Sequence, residues 1–103
     1  MLFILKRNSG HDGVHKFSVT YTGSSGRSNT IKFGNRSYED FTQHRDENRK
    51  ILYENRHKKN ENWNDLTTAG AWSKNLLWNK HTITESIHDM QQKFKNITIR
   101  IDY

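Results

Sequence analysis

The sequence predicts an α+β domain: a small, largely antiparallel sheet, made of an N-terminal hairpin and a C-terminal strand, packed by three or four short helices. Two observations carry this. Residues 15–22 and 97–101 alternate apolar and polar side chains with the period of a half-buried strand, and the stretch between 37 and 95 holds helix caps and apolar spacings of three and four. At 103 residues the chain fits a single domain over 1–103. It is read as a basic β region at 1–36, a helical region at 37–95 and a closing strand at 97–101.

Taken in order, Leu2 to Lys6 begins with an apolar run that reads as a buried strand, ended by the turn formers Asn8 to Gly13. Phe17, Val19 and Tyr21 then share one face of a strand, with Ser18, Thr20 and Thr22 on the other. Gly23-Ser24-Ser25-Gly26 turns the chain, and Thr30 to Phe33 returns as its hairpin partner. Ser37 is read as the cap of a short helix over Tyr38 to His44, with Asp40 three residues later. Asp46 caps a second helix running through Arg49, Leu52, Arg56 and Lys59, whose few apolar side chains leave it mostly wet.

Asn60 to Asp65 is a polar loop anchored by Trp63. Thr67 or Thr68 caps a third helix carrying Ala69, Trp72 and Leu76 and ending near Trp78-Asn79. Thr82 and Glu85 form a capping box before Ile83, Ile87, Met90 and Phe94, which recur on one helical face. Asn96 ends that helix in a left-handed cap, and Ile97, Ile99 and Ile101 form the last strand.

Composition narrows the function classes. Only 31% of residues are hydrophobic and the mean hydropathy is -1.08, so 3 Trp, 5 Phe and 4 Tyr must supply much of the core. The absence of Cys excludes disulfides, thiolate zinc sites and a Cys nucleophile, and points to a reducing compartment. The apolar run at Met1 to Leu5 is too short for a signal peptide core or a membrane span.

The net charge of +6 is uneven, because residues 1–38 hold six Lys/Arg and one Asp while the remainder is nearly balanced. Such an excess favours polyanions. Lys16, Arg27, Lys32 and Arg36 in the hairpin, and Arg45, Arg49, Lys50, Arg56, Lys58 and Lys59 around the second helix, are therefore the candidate phosphate contacts. The plainer account is a solvated face partly neutralised by Asp46, Glu47 and Glu54.

Other constellations have plainer explanations. Trp72 and Trp78 are assigned to the core, whereas Trp63 is the candidate partner contact. His44 with Asp46, and His57 with Glu61, have the residue types of an acid and base or a metal site, but without Cys support or a two-His helical motif a structural hydrogen bond is the simpler account. His11 and His15 flank Gly13 as a chance pair. Gly23 to Gly26 lacks the Lys of a phosphate-binding loop, and Asn96-Ile97-Thr98 is an idle glycosylation match. No cofactor is expected.

An ordered series of landmarks runs from Phe33-Gly34 through Tyr38, Asp40, His44-Arg45-Asp46, Arg49-Lys50, Tyr53, Arg56-His57, Glu61-Asn62-Trp63, Ala69-Gly70-Ala71-Trp72-Ser73 and Leu77-Trp78-Asn79-Lys80 to Thr82 and Ser86. In these landmarks the chain resembles a family of small, uncharacterised proteins of large double-stranded DNA viruses of algae and amoebae. It departs from that pattern at Glu47 and His81, where relatives carry Pro, and at Ala71, where they carry a larger aromatic. The resemblance implies a viral setting, in the virion or the infected host-cell cytoplasm and not secreted, but no reaction.

The expected function is a non-enzymatic, basic viral protein that binds nucleic acid, DNA ahead of RNA, largely through backbone phosphates during genome packaging or virion assembly. The alternative is a minor, capsid-associated structural protein that meets an acidic viral protein. A metal-dependent nuclease using His44, His57 and Glu61 is the third reading.

Overall fold

The computed structural model describes residues 1–8 and 12–103. His11, and with it the pairing of His11 with His15, lies outside the described residues. Four strands form one mixed sheet in the order β3-β2-β1-β4: β1 (Leu2–Arg7), β2 (His15–Thr22), β3 (Ser28–Asn35) and β4 (Thr98–Ile101). Strands β1, β2 and β3 are an antiparallel meander, with Leu5 opposite Val19 and Phe17 opposite Phe33. Strand β4 runs parallel to β1, pairing Phe3 with Ile99, so the sheet is antiparallel except at that edge. A parallel neighbour needs a long crossover, and residues 36–97 supply it by carrying all the helices.

The period-two pattern buries Phe3, Leu5, Phe17, Val19, Phe33 and Ile99 in one core. The same core receives Ala71, Trp72, Leu76, Leu77, Ile87 and Met90 from the helices. The other face of the hairpin is polar, where the Thr20 and Thr30 hydroxyls approach to 3.3 Å. Trp72 is wholly buried, edge-on to Phe3 with ring centroids 5.1 Å apart, and its indole N–H donates to the Leu66 carbonyl at 3.0 Å. The indole thus brings a large apolar area into the core without leaving a donor unsatisfied.

Helix α1 (Phe41–His44) is capped by Asp40 and not by Ser37. The Asp40 carboxylate accepts the Thr42 N–H at 2.9 Å, and Gln43 Oε1 accepts the Asp40 N–H at 2.9 Å. This reciprocal box places the cap three residues after Ser37, because Asp40 is itself the cap and not the closing partner of an earlier one. Helix α2 (Glu47–His57) is capped by Asp46 as expected, ends before Lys59, and buries only Tyr53. Helix α3 (Ala69–Trp72), capped by Thr68, continues into a π-helical turn, Ser73–Leu77, closed by the Trp78 N–H donating to the Ser73 carbonyl at 3.1 Å.

Helix α4 (Ile83–Lys93) buries Ile87 and Met90 on its predicted face. At its cap Thr82 accepts the Glu85 N–H at 3.1 Å, while its hydroxyl donates to the Glu85 carboxylate at 3.0 Å in place of the reciprocal backbone bond. Asn96 is left-handed, at φ 65, but it does not cap α4, which ends at Lys93 with the extended Phe94 as its cap.

A polar network ties the helical layer together. Asn75, fully buried, donates to the Trp63 and Ala71 carbonyls at 2.7 and 2.9 Å and accepts from Lys93 Nζ at 2.9 Å. Asn79 donates to the Asn75 carbonyl at 3.1 Å and to Asp89 at 2.7 Å. That last bond holds the Asp89 carboxyl below the usual carboxylate range.

Candidate functional site

A cleft of about 740 Å³ opens between the β2–β3 edge of the sheet and the helical layer. Its sheet side includes Lys16, Lys32, Phe33 and Gly34, its helical side Arg49, Leu52, Tyr53, Arg56 and His57, and Tyr38, Glu61, Gly70 and Trp78 complete the lining. Lys16 and Lys32 from the first basic segment and Arg49 and Arg56 from the second therefore line one space.

Gly34 eases the approach of sheet and helices. It sits at φ +79, and a Cβ there would stand 2.7 Å from Leu77 Cδ1. Any side chain would be strained by that φ and would push the Leu77 side chain aside, so glycine suits the approach of β3 to the π-helical turn.

The cleft's aromatic lining is a short column. Tyr53 lies parallel to Trp78, centroids 4.3 Å apart at 3°, and His57 stacks on its other side at 4.3 Å and 28°. Burial pushes the Tyr53 hydroxyl well above its ordinary range, and a side-chain hydrogen bond with Ser73 partly offsets this. Trp78 continues the column to His44 at 5.2 Å.

His57 and Glu61 are brought together, with Nδ1 and Oε2 3.1 Å apart. The other carboxylate oxygen of Glu61 accepts the Trp63 indole N–H at 2.8 Å. Glu61 thereby holds the end of α2 to the following loop. His44 and Asp46 meet differently: the Asp46 N–H donates to His44 Nδ1 at 2.9 Å, and the Asp46 carboxylate is spent on capping the Asn48 and Arg49 N–H groups. His44 Nε2 is buried without a hydrogen-bond partner among the described residues, and burial, reinforced by Arg49, lowers the imidazole pKa. Among the described residues no group of three or more His, Cys, Asp or Glu side chains is placed to hold a metal.

The predicted phosphate contacts divide into two sets. Lys16 is drawn inward, its ammonium 2.8 Å from Asp40 Oδ2 and 2.7 Å from Gln43 Oε1, so it links β2 to the start of α1. Arg36 donates to the His15 carbonyl at 2.9 Å and to the Asn8 carbonyl, Arg45 to the His81 carbonyl at 3.3 Å, and Lys50 to the Asn79 carbonyl at 2.8 Å while lying over the Phe41 ring. These four cations serve the fold.

The second set is exposed, as are Arg36 and Arg45 of the first, but it is tied by no more than loose pairs among the described residues. Arg49 meets Glu39 at 3.4 Å and Lys32 meets Asp12 at 3.7 Å, loose surface pairs that contribute little. Asp12 itself is held far below the carboxylate range, chiefly by the His15 side chain. Arg27, Arg56, Lys58 and Lys59 are exposed and lie outside every ion pair within 4.0 Å among the described residues.

Trp63 is half-buried, bonded to Glu61 and covered by Lys74 Nζ at 5.2 Å from its ring centre, so it secures its own loop. The large apolar side chains left exposed in the lining of the cleft are Val14, Tyr38 and Leu52, and Ile51 precedes Leu52 on α2. Sequence reasoning passed over them as contacts because an exposed apolar residue, whether in a bend or on a wet helix, carries no local signal. The Asp40 cap was legible, since Asp40-Phe41-Thr42-Gln43 has capping-box spacing.

Fold and site together define a small α+β protein with a charged, aromatic-lined cleft between a sheet edge and a helical layer. Residues 8–57 match a Family of unknown function (DUF5754). The matched stretch takes in β2, β3, α1 and α2, and so both basic walls of the cleft, and stops short of α3. No curated protein and no solved structure matches the chain.

Proposed function

We propose that this protein binds nucleic acid, DNA ahead of RNA, largely through backbone phosphates and without a chemical step. The observation that supports this reading is the convergence of Lys32 from the hairpin with Arg49 and Arg56 from α2 on one cleft. Lys58 and Lys59 extend the helical side just beyond the end of α2. Cations spread along one surface neutralise successive phosphates and release counterions, which gives affinity with little sequence preference. A viral setting, in genome packaging or virion assembly, rests on the resemblance of the ordered landmarks from Phe33 to Ser86.

A salt titration of binding to labelled DNA tests it. Log affinity should fall linearly with log salt, and Arg56→Ala or Lys58→Ala should flatten the slope by roughly 0.7 to 0.9 for each phosphate no longer neutralised. Absence of saturable binding at low salt, or binding indifferent to salt, would overturn the proposal.

A second reading is a minor structural protein of the virion that meets an acidic viral protein. The exposed Tyr38, Ile51 and Leu52 next to these cations favour it, because apolar side chains add nothing to a purely electrostatic contact. Copurification with intact virus in fixed ratio to capsid protein after nuclease treatment is its expected result, and loss along with the nucleic acid would refute it.

A further inference from the structure

We infer that the cleft takes an unpaired base of a single strand, laid against Tyr38 and Leu52, with the flanking phosphates held at the rim by Lys32, Arg49 and Arg56; this rests on the nucleic-acid reading. Two of the three cleft carboxylates lie deeper than the rim cations. The Asp40 and Glu61 side chains are 5% and 25% exposed, whereas those of Lys32 and Arg49 are 47% and 44% exposed. Lys16, the deep cation, is already bound to Asp40. Glu39, 61% exposed and paired with Arg49, also stands at the rim, but Lys32, Arg49 and Arg56 outnumber it there, so a phosphate is attracted to the rim and repelled from the interior.

A neutral base suits that interior. Each Glu61 oxygen accepts one hydrogen bond from the protein and keeps capacity for a second, as an exocyclic amino group requires. Tyr38 is 70% exposed, an aromatic face without cover at the edge of a cationic cleft. A duplex hides the faces of its bases and offers phosphates and base edges, so Tyr38 and Leu52 would find no partner there. An unpaired base offers its π-face, and stacking on an aromatic side chain contributes about 1–3 kcal/mol per base. The cleft volume of about 740 Å³ also lies within the roughly 300–1,000 Å³ of small-ligand sites.

Fluorescence anisotropy with a short labelled DNA strand, and with the duplex of the same sequence, tests the inference at several salt concentrations. The strand should bind about tenfold or more tighter than the duplex. Tyr38→Ala should weaken strand binding about 5- to 150-fold with an unchanged salt slope and leave duplex binding unaltered, while Tyr38→Trp restores it. The exposed Tyr38 side chain makes folding of these variants straightforward, and circular dichroism verifies it. Equal affinity for strand and duplex, or an equal effect of Tyr38→Ala on both, overturns the base site and leaves phosphate binding standing. Failure of both ligands to bind overturns the two together.

Discussion

The Glu61 carboxylate lies directly against the α-carbon of Gly70: a Cβ at position 70 would stand 2.8 Å from Glu61 Cδ and 3.0 Å from both its oxygens. Glycine here is not demanded by backbone conformation. It is demanded by a side chain from nine positions earlier, which joins His57 to Trp63 at the edge of the cleft.

Gly70→Ala should therefore displace Glu61. The steric cost is small because the carboxylate ends a flexible chain, but two hydrogen bonds go with it, each contributing about 1 kcal/mol. Alanine in the helix returns about 1 kcal/mol. The expected result is a net loss of about 1 kcal/mol in urea unfolding and a shifted Trp63 indole N–H resonance. In a Glu61→Ala background the same substitution should stabilise. A Gly70→Ala protein more stable than the parent, with the indole resonance unmoved, would show that Glu61 does not need this space.

Tyr53 is the only buried residue of α2, and its stack on Trp78 attaches that helix to the chain beyond the π-helical turn. Tyr53→Ala should cost about 3–5 kcal/mol. Amide exchange should accelerate in α2 before it does in the sheet, because the core around Trp72 keeps its own packing. Combined with Trp78→Ala, the coupling energy should be about 0.5–1.5 kcal/mol. Additive effects of the two substitutions would mean that the stacked geometry contributes nothing beyond area.

His44 gives the fold a mild acid sensitivity. Its pKa is lowered from 6.5 in the folded protein, first by burial and then by Arg49, against the opposing pull of Asp46, Glu39 and Asp40. Between the folded value and 6.5 the unfolded chain binds more protons than the folded one, so stability rises with pH and declines as pH falls below about 6.5. Protonation at Nδ1 also removes the acceptor of the Asp46 N–H. His44→Asn keeps an acceptor near that position and cannot titrate, so its melting temperature should be flatter between about pH 7 and pH 5 than the parent's. Asp89 acts in a separate window, since its lowered pKa contributes stability that is lost only below about 3.8. Identical slopes for parent and His44→Asn above about pH 5 would exclude His44 as the source.

Strands, helices and caps were legible wherever the signal sits within a few neighbouring residues. Alternation at Phe17, Val19 and Tyr21 placed β2, and Asp46, Thr68 and Thr82 each announced a helix start by offering an oxygen to an N–H two or three residues on. Ser37 misled because it resembled a cap in isolation, whereas Asp40 could recruit Gln43 to complete the exchange. The candidate site was legible only in part. Each basic segment contributes two cations to the cleft, but Lys16, Arg36, Arg45 and Lys50 could not be told from the cations left without such ties, because charge in a sequence does not reveal which carbonyl or carboxylate will meet it.

By itself the sequence determined the α+β class, the apolar faces of the strands, the burial of Trp72 and the amphipathic helix through Ile87 and Met90. These follow from periodicities of two and 3.6 residues and from caps, all interactions of short range along the chain. Tertiary structure alone decided that β4 runs parallel to β1, that Lys16 turns inward to Asp40 across 24 positions, and that Tyr38 stands open at a cleft shared by the hairpin and α2. Each depends on which distant backbone arrives alongside, and that is settled by how the sheet and the helical layer bury their apolar faces together.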